Sequence, residues 1–292
     1  MRRFSEYNPI VIAVYFLLVT GLAMFCAHPA ILGFALLGGT VLSAAGQGQR
    51  RGKTALWLCI LFLLLALFNP LFSHNGVTVL FVLNHAPITL EALLYGVCSA
   101  ARIVSVLCFL QAFTRIMTGE KLLYLFGAIS PKLSLVFSMA IRYVPLFQKQ
   151  AARVNQAQKA MGLYKEDNVI DGARGGLRVF SVMVTWALEN GITTADSMSA
   201  RGYGVGRRTH YSVFRWHCRD VALLCICLLL GGVTVGATAA GALDFVFYPA
   251  IRLPERQILG ILGFFAYAVL VLLPNFIDGG RELIWRYLRS KI

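Results

Sequence analysis

The residue types that most often do chemistry are scattered through this sequence. The seven cysteines form no C-x-x-C pair, and most lie in apolar stretches, where cysteine behaves as a small hydrophobe. The five histidines show no H-x-x-x-H spacing, and no G-x-S-x-G or paired-carboxylate pattern appears. We therefore predict no catalytic residue, no metal site and no enzymatic activity for this chain.

The stretch GQGQRRGKT at 46–54 resembles a phosphate-binding loop, but its spacing is wrong. That motif needs a glycine, four residues and then Gly-Lys-Ser/Thr. The residue five places before Gly52 is Gln47, and an apolar stretch follows directly. We therefore predict a basic loop, with no nucleotide or other cofactor bound directly by this chain.

The elements around these residues are predicted to be membrane helices. The chain is 58% hydrophobic and 14% charged, with a mean hydropathy of +0.70, whereas soluble domains are roughly 25% charged. A helix needs about 20 apolar residues to cross a bilayer. Six blocks approach or reach that length, the second being short: 9–27, 30–45, 54–72, 90–113, 221–243 and 258–277. The first could instead be a signal peptide, but its long apolar core favours an uncleaved span.

The net charge of +14 is concentrated in alternate loops. Lys and Arg cluster at the N-terminus, at 50–53, between 114 and 219, and in the tail, whereas the other loops contain only Arg252 and Arg256. Because cytoplasmic loops carry the excess of Lys and Arg, both termini and the middle segment are predicted to be cytoplasmic. This placement explains the basic charge without nucleic acid as a partner.

The segment from 114 to 220 is too polar to span a membrane but is rich in helix formers. Helix-ending and helix-starting residues predict a break at 130–131, a new helix over 145–162 and another over 177–201. A re-entrant membrane segment is the alternative for residues 119–147.

Apolar side chains recur at helical spacing in this segment. They form one stripe after the break and another on the last helix of the segment: Leu133, Val136 and Phe137, and Val179, Val182, Met183 and Trp186. Packing of the helices against each other within this protein would bury such stripes.

Both long helices are predicted to end in a similar tripeptide, 40 residues apart. The tripeptides are Ala160, Met161 and Gly162, and Ala200, Arg201 and Gly202. Glycine commonly ends a helix, and an arginine beside it stabilises the negative helix end by about 0.3–1 kcal/mol. Capping alone is therefore one explanation of the pattern.

Four stretches in order carry a resemblance to a known family. DSMSARGYG (196–204) resembles the second Ala-Arg-Gly signature of the transmembrane T component of energy-coupling factor (ECF) vitamin and metal importers, the EcfT/CbiQ family. AQKAMG (157–162) is similar to the first signature, and IRYVPLFQKQAARVNQAQKAMG (141–162) and FNPLFSHNGVTVLFVLNHAPITLEALLYG (68–96) resemble further parts of that family. The resemblance covers most of residues 68–204.

The resemblance implies a scaffold without catalytic activity in the cell membrane of a bacterium or archaeon. T components join two cytoplasmic ABC-type ATPases, which hold ATP and Mg, to a membrane substrate-binding S component that takes up a vitamin or a metal such as cobalt. The six tripeptide residues would then dock into grooves on the two ATPases. The apolar stripes would form a platform for the S component, and the lipid bilayer would surround the whole.

Met161 departs from the family pattern, which usually has arginine at that position. Methionine can fill an apolar pocket but cannot form an ion pair, whereas a guanidinium offers five donors to a carboxylate or carbonyl groups. The two predicted docking ends are therefore chemically unequal. This inequality suggests a pair of non-identical ATPases.

The sequence as a whole predicts an all-α, polytopic helical membrane protein with about six transmembrane helices and long cytoplasmic coupling helices. Residues 1–113 would form a membrane domain of four spans, residues 114–219 a cytoplasmic or interfacial coupling region, and residues 220–292 two spans and a basic tail. A self-sufficient secondary transporter is the main alternative to a scaffold. It is disfavoured because Arg102 is isolated well inside a block and no internal repeat appears. A membrane-embedded transferase is disfavoured because no catalytic cluster appears.

Overall fold

The computed structural model describes most of the chain. The described residues are 4–44, 51–72, 78–83, 86–162, 169–206, 214, 216–243, 245 and 257–289. Most of the phosphate-loop-like stretch, the turn after Gly162, and Arg252 and Arg256 lie outside these ranges.

Helices make up most of the described chain, which confirms the predicted helical membrane protein. In chain order, the structure contains a 3₁₀ turn at Phe4–Glu6, α1 (Pro9–Phe25), α2 (Pro29–Ala44), α3 (Arg51–Phe72), β1 (Val79–Leu83), β2 (Ala86–Thr89), α4 (Leu90–Ile116), α5 (Gly119–Ile129), α6 (Pro131–Ala160), α7 (Val169–Ala200), α8 (Cys218–Ala239) and α9 (Gln257–Arg289).

Four of the helices contain a segment long and apolar enough to cross a membrane: Gly52–Phe72, Leu90–Ile116, Cys218–Ala239 and Ile258–Gly280. The other two predicted spans are also apolar helices, but α1 has 17 residues and α2 has 16. At 1.5 Å per residue each is roughly 25 Å long, less than the hydrocarbon core of about 30 Å.

The chain divides into two compact units. The membrane unit comprises Met1–Leu122 and Phe214–Ile292, and the coupling unit comprises Leu123–Val213. The coupling unit contains α6 and α7, which pack against each other.

Helix α1 supplies much of the core of the membrane unit and contacts α4, α8 and α9. Its start follows from sequence: Pro9 occupies the first turn and the Asn8 side chain accepts a hydrogen bond from the amide of Ile10. Two buried tyrosine hydroxyls join α1 to α9, each donating to a backbone carbonyl on the other helix. Tyr15 donates to Val271 and Tyr267 donates to Val19, both at 3.3 Å.

The N-terminal residues of the described chain are anchored by polar contacts. The amide of Phe4 donates to Asp278 Oδ1 at 2.9 Å, and Lys121 Nζ donates to the carbonyls of Ser5 and Ile116. Burial lowers the pKa of the Lys121 ammonium group because a charged amine loses hydration there.

The strands β1 and β2, which form an antiparallel pair before α4, are an addition to the predicted all-α fold. The first turn of α4 is tied to this pair. Thr89 caps the helix by accepting from the amide of Ala92, and the buried Glu91 carboxylate accepts from the hydroxyl of Thr78 at 2.7 Å. Glu91 is therefore a structural group at the helix end.

The predicted break at 130–131 is confirmed, because α5 ends at Ile129 and α6 begins at Pro131. The predicted new helix at Pro145 is wrong, since α6 continues through that proline to Ala160. A proline inside a helix removes only one amide donor, and tertiary packing can hold the helix together. Helix α7 also begins earlier than predicted, at Val169.

Candidate functional site

The end of α6 is closed by its backbone. The amide of Met161 donates to the Ala157 carbonyl, and the amide of Gly162 donates to the Lys159 carbonyl, both at 3.0 Å. Gly162 has φ of +69°, a left-handed conformation that glycine adopts without steric cost. The Met161 side chain is 66% exposed.

The end of α7 forms a complete Schellman motif. The amide of Gly202, at φ +81°, donates to the Ser199 carbonyl at 3.0 Å, and the amide of Tyr203 donates to the Met198 carbonyl at 3.0 Å. Both Ala200 and Arg201 are exposed. The predicted capping is therefore confirmed at both helix ends.

Capping does not account for the side chain of Arg201. The hydrogen bonds that close α7 come from backbone groups, so the cap would form with another side chain at this position. Among the described residues, no carboxylate forms an ion pair with the Arg201 guanidinium. An exposed fork of donors therefore lies at the tip of a 32-residue helix.

Three of the seven predicted apolar residues lie on the face of α7 that packs against α6. The Trp186 ring packs edge-on against Phe147, with ring centroids 5.5 Å apart, and Val179 and Met183 are also partly buried. Farther along, the hydroxyls of Tyr143 and Thr194 lie 2.8 Å apart. These contacts hold the two helices side by side, which is the packing explanation of this stripe.

The other four predicted residues are exposed. Leu133 and Val136 on α6 and Val182 on α7 are 46–61% exposed, and Phe137 is 42% exposed although its ring stacks on Phe126 at 4.9 Å.

A second apolar row on α7 was missed by the sequence reasoning. We call it the outer row, and it lies on the helix face opposite Trp186: Leu177, Phe180, Val184, Leu188 and Ile192. These side chains are 42–69% exposed. Their spacing of three and four residues was visible in the sequence, but a helix that is apolar on two faces does not reveal which face it buries.

Arg102 holds a turn of the membrane unit. Its Nη2 donates to the Cys26 carbonyl at the end of α1, at 3.2 Å. An arginine inside a span usually satisfies backbone carbonyls or marks a substrate path. The contact of Arg102 with Cys26 satisfies a backbone carbonyl. In addition, no cluster of His, Cys, Asp or Glu that could hold a metal ion occurs among the described residues.

Comparison with known proteins decides the family. The family described as "Cobalt transport protein" (CbiQ) matches residues 3–211. The chain belongs to the CbiQ family. The match includes α1 to α7 and both capped tripeptides, whereas α8 and α9 lie beyond it.

Curated relatives of this CbiQ-family chain carry the name energy-coupling factor transporter transmembrane protein EcfT. The protein from Streptococcus thermophilus is 28% identical over 61% of this chain and 71% of its own length. The protein from Lactococcus lactis subsp. cremoris is 24% identical over 77% of this chain and 88% of its own length. These findings confirm the resemblance and support a transmembrane component of an ECF transporter.

Proposed function

We propose that this chain is the non-catalytic scaffold that couples two cytoplasmic ATPases to a substrate-binding S component in an ECF importer. The observation that carries the proposal is the pair of exposed, backbone-capped tripeptides at the ends of α6 and α7. The names of the curated relatives support the same assignment. ATP and Mg belong to the ATPases in this proposal, and the substrate is a vitamin or a metal ion such as cobalt.

The two tripeptides dock into grooves on the two ATPases. Ala200 and Gly202 have small or no side chains, so a partner's backbone can approach the cap closely. The Arg201 guanidinium then pairs with a carboxylate or with carbonyl groups in one groove. Ala160, Met161 and Gly162 present a flexible apolar side chain to the other groove, which favours two non-identical ATPases.

The S component rests on the exposed apolar surface of the coupling unit. The outer row supports this placement, because five large apolar side chains on one helix face lack cover in the described chain. Leu133, Val136 and Phe137 extend the candidate surface, whereas Val182 lies on a different face of α7 from the outer row. Val179, Met183 and Trp186 contribute to it indirectly, since they fix the position of α7 against α6.

Substituting the outer row is expected to weaken S-component binding. Burying a leucine contributes about 1.5–3 kcal/mol, so Leu188→Glu should reduce the affinity more than tenfold while the ATPases remain bound. Val182→Glu is the matched control, because Val182 is also exposed on α7 but lies outside the outer row. Co-purification of the S component with each variant measures the effect. If only Val182→Glu reduced co-purification of the S component, the platform would lie on the face of α7 that contains Val182.

The orientation follows from charge. We place both termini and the coupling unit in the cytoplasm, because Lys and Arg are concentrated there. Single cysteines at residues 80 and 168 test this placement in intact cells. An impermeant thiol reagent should modify only the first. Modification of only residue 168 would show that the orientation is the opposite of the one proposed.

The scaffold proposal is tested by reconstitution. The chain is purified with and without co-expressed ATPases and S component, and uptake is measured in liposomes. We expect uptake only when all components and ATP are present. Ion-gradient-driven uptake by the chain alone would instead establish a secondary transporter.

A further inference from the structure

The membrane unit contains a cavity between α2, α3 and α4. Helices α2 and α3 each pack on α4, and the crevice between them has a volume of about 460 Å³. This volume lies within the range of roughly 300–1,000 Å³ typical of small-molecule sites. Its described lining residues are uncharged: Leu36, Thr40, Val41, Ser43, Ala44, Ala55, Leu58, Cys59, Phe62 and Val104.

The position and shape of the cavity suit a lipid chain. It extends along α2 from Leu36 to Ala44, which is roughly 12 Å at 1.5 Å per residue. Val41, one of the lining residues, is 51% exposed, so the crevice is open to the outside of the membrane unit. Ala44 is the last residue of α2, so one end of the cavity lies where that helix ends.

A cationic residue occurs at that end. Arg115, in the last turn of α4, donates from Nη1 to the carbonyl of Ser43 at 2.9 Å, and Ser43 lines the cavity. One carbonyl uses only part of the donor capacity of a guanidinium.

We propose that this cavity binds a phospholipid with an anionic headgroup. One acyl chain fills the crevice, and the phosphate and headgroup lie beside Arg115. Apolar lining and a cationic mouth are both needed for this assignment, and basic pockets between transmembrane helices bind anionic lipids for the same reason. The site is independent of the docking ends of α6 and α7.

The reactivity of two native cysteines tests the proposal. Cys59 lines the cavity, whereas Cys225 is a similarly exposed cysteine on α8. The full chain in detergent receives phosphatidylglycerol or phosphatidylcholine at equal mole fraction, and N-ethylmaleimide modification is followed by peptide mass spectrometry. Phosphatidylglycerol should slow modification of Cys59 about fivefold more than phosphatidylcholine does, which corresponds to about 1 kcal/mol for one cation near an anionic headgroup. Cys225 should react equally in both lipids.

Charge variants test whether the lipid headgroup, and not the acyl chain, causes the difference between the two lipids. Arg115→Gln should remove the difference between the two lipids at Cys59. Lys53→Gln is the matched control, because Lys53 is exposed and lies on a different face of α3 from Ala55. Equal protection by both lipids in the unsubstituted chain, or equal protection of Cys59 and Cys225, would overturn the proposal.

Discussion

Replacing Arg201 with alanine is expected to abolish most ATP-driven uptake and to release one ATPase from the complex. The guanidinium forms no ion pair with a described residue, so its proposed partner belongs to the ATPase groove. Removing one member of a buried charge pair costs roughly 2–5 kcal/mol, since the other charge is left without a partner. Uptake in proteoliposomes and ATPase co-purification at equal expression measure the effect.

Met161 provides the comparison for Arg201. Met161→Ala removes apolar contact only, which costs about 1–3 kcal/mol, so the loss should be milder. Met161→Arg should retain transport, because the family that the chain resembles usually has arginine at this position and the backbone cap of α6 does not use the side chain. Full transport by Arg201→Ala would show that Ala-Arg-Gly is a helix cap and nothing more.

Replacing Gly96 with valine is expected to destabilise the membrane unit. A Cβ atom at Gly96 would lie 2.6 Å from the carbonyl oxygen of Ala66 and 3.2 Å from Pro70 Cδ. Pro70 has no amide hydrogen to donate to that carbonyl four residues earlier in α3, and the close approach of Gly96 fills the space beside it. Overpacking of this kind costs about 1–3 kcal/mol.

Thermal unfolding of the purified chain in detergent measures the loss, with Gly232→Val as the control. Gly232 is also within a transmembrane helix, but a Cβ there would meet no atom within 4 Å. Both changes carry the same difference in helix propensity, so only the contact between α3 and α4 distinguishes them. Equal midpoints of thermal unfolding for the two variants would contradict this account of the α3–α4 contact.

The membrane helices could be predicted because their signal is local. Blocks of apolar residues flanked by charge identified every span-like helix to within a few residues, except that α9 continues to Arg289. The Ser130-Pro131 break and the two glycine ends were equally local. Pro145 misled the prediction because its local preference is weaker than the packing of α6 against α7. The β1–β2 pair was not predicted, because the pairing of short strands depends on residues that are near them in space and not only in sequence.

The apolar faces show where sequence reasoning stops. Trp186 and Leu188 are two residues apart in the same helix, and hydrophobicity alone does not say which one faces α6. The contact with Phe147 settles that question for Trp186. The cavity beside Cys59 was also beyond prediction, because it arises from the separation of α2 and α3 on the surface of α4.

The backbone-made caps have a consequence for how such a protein can evolve. Since glycine at positive φ closes each helix, the side chain of the residue before it contributes little to the stability of the fold. A single codon change at position 161 or 201 can therefore alter what the tip recognises while leaving the stability of the chain nearly unchanged. If the two tips bind two different ATPases as proposed, recognition of each can change one end at a time while the helices stay the same.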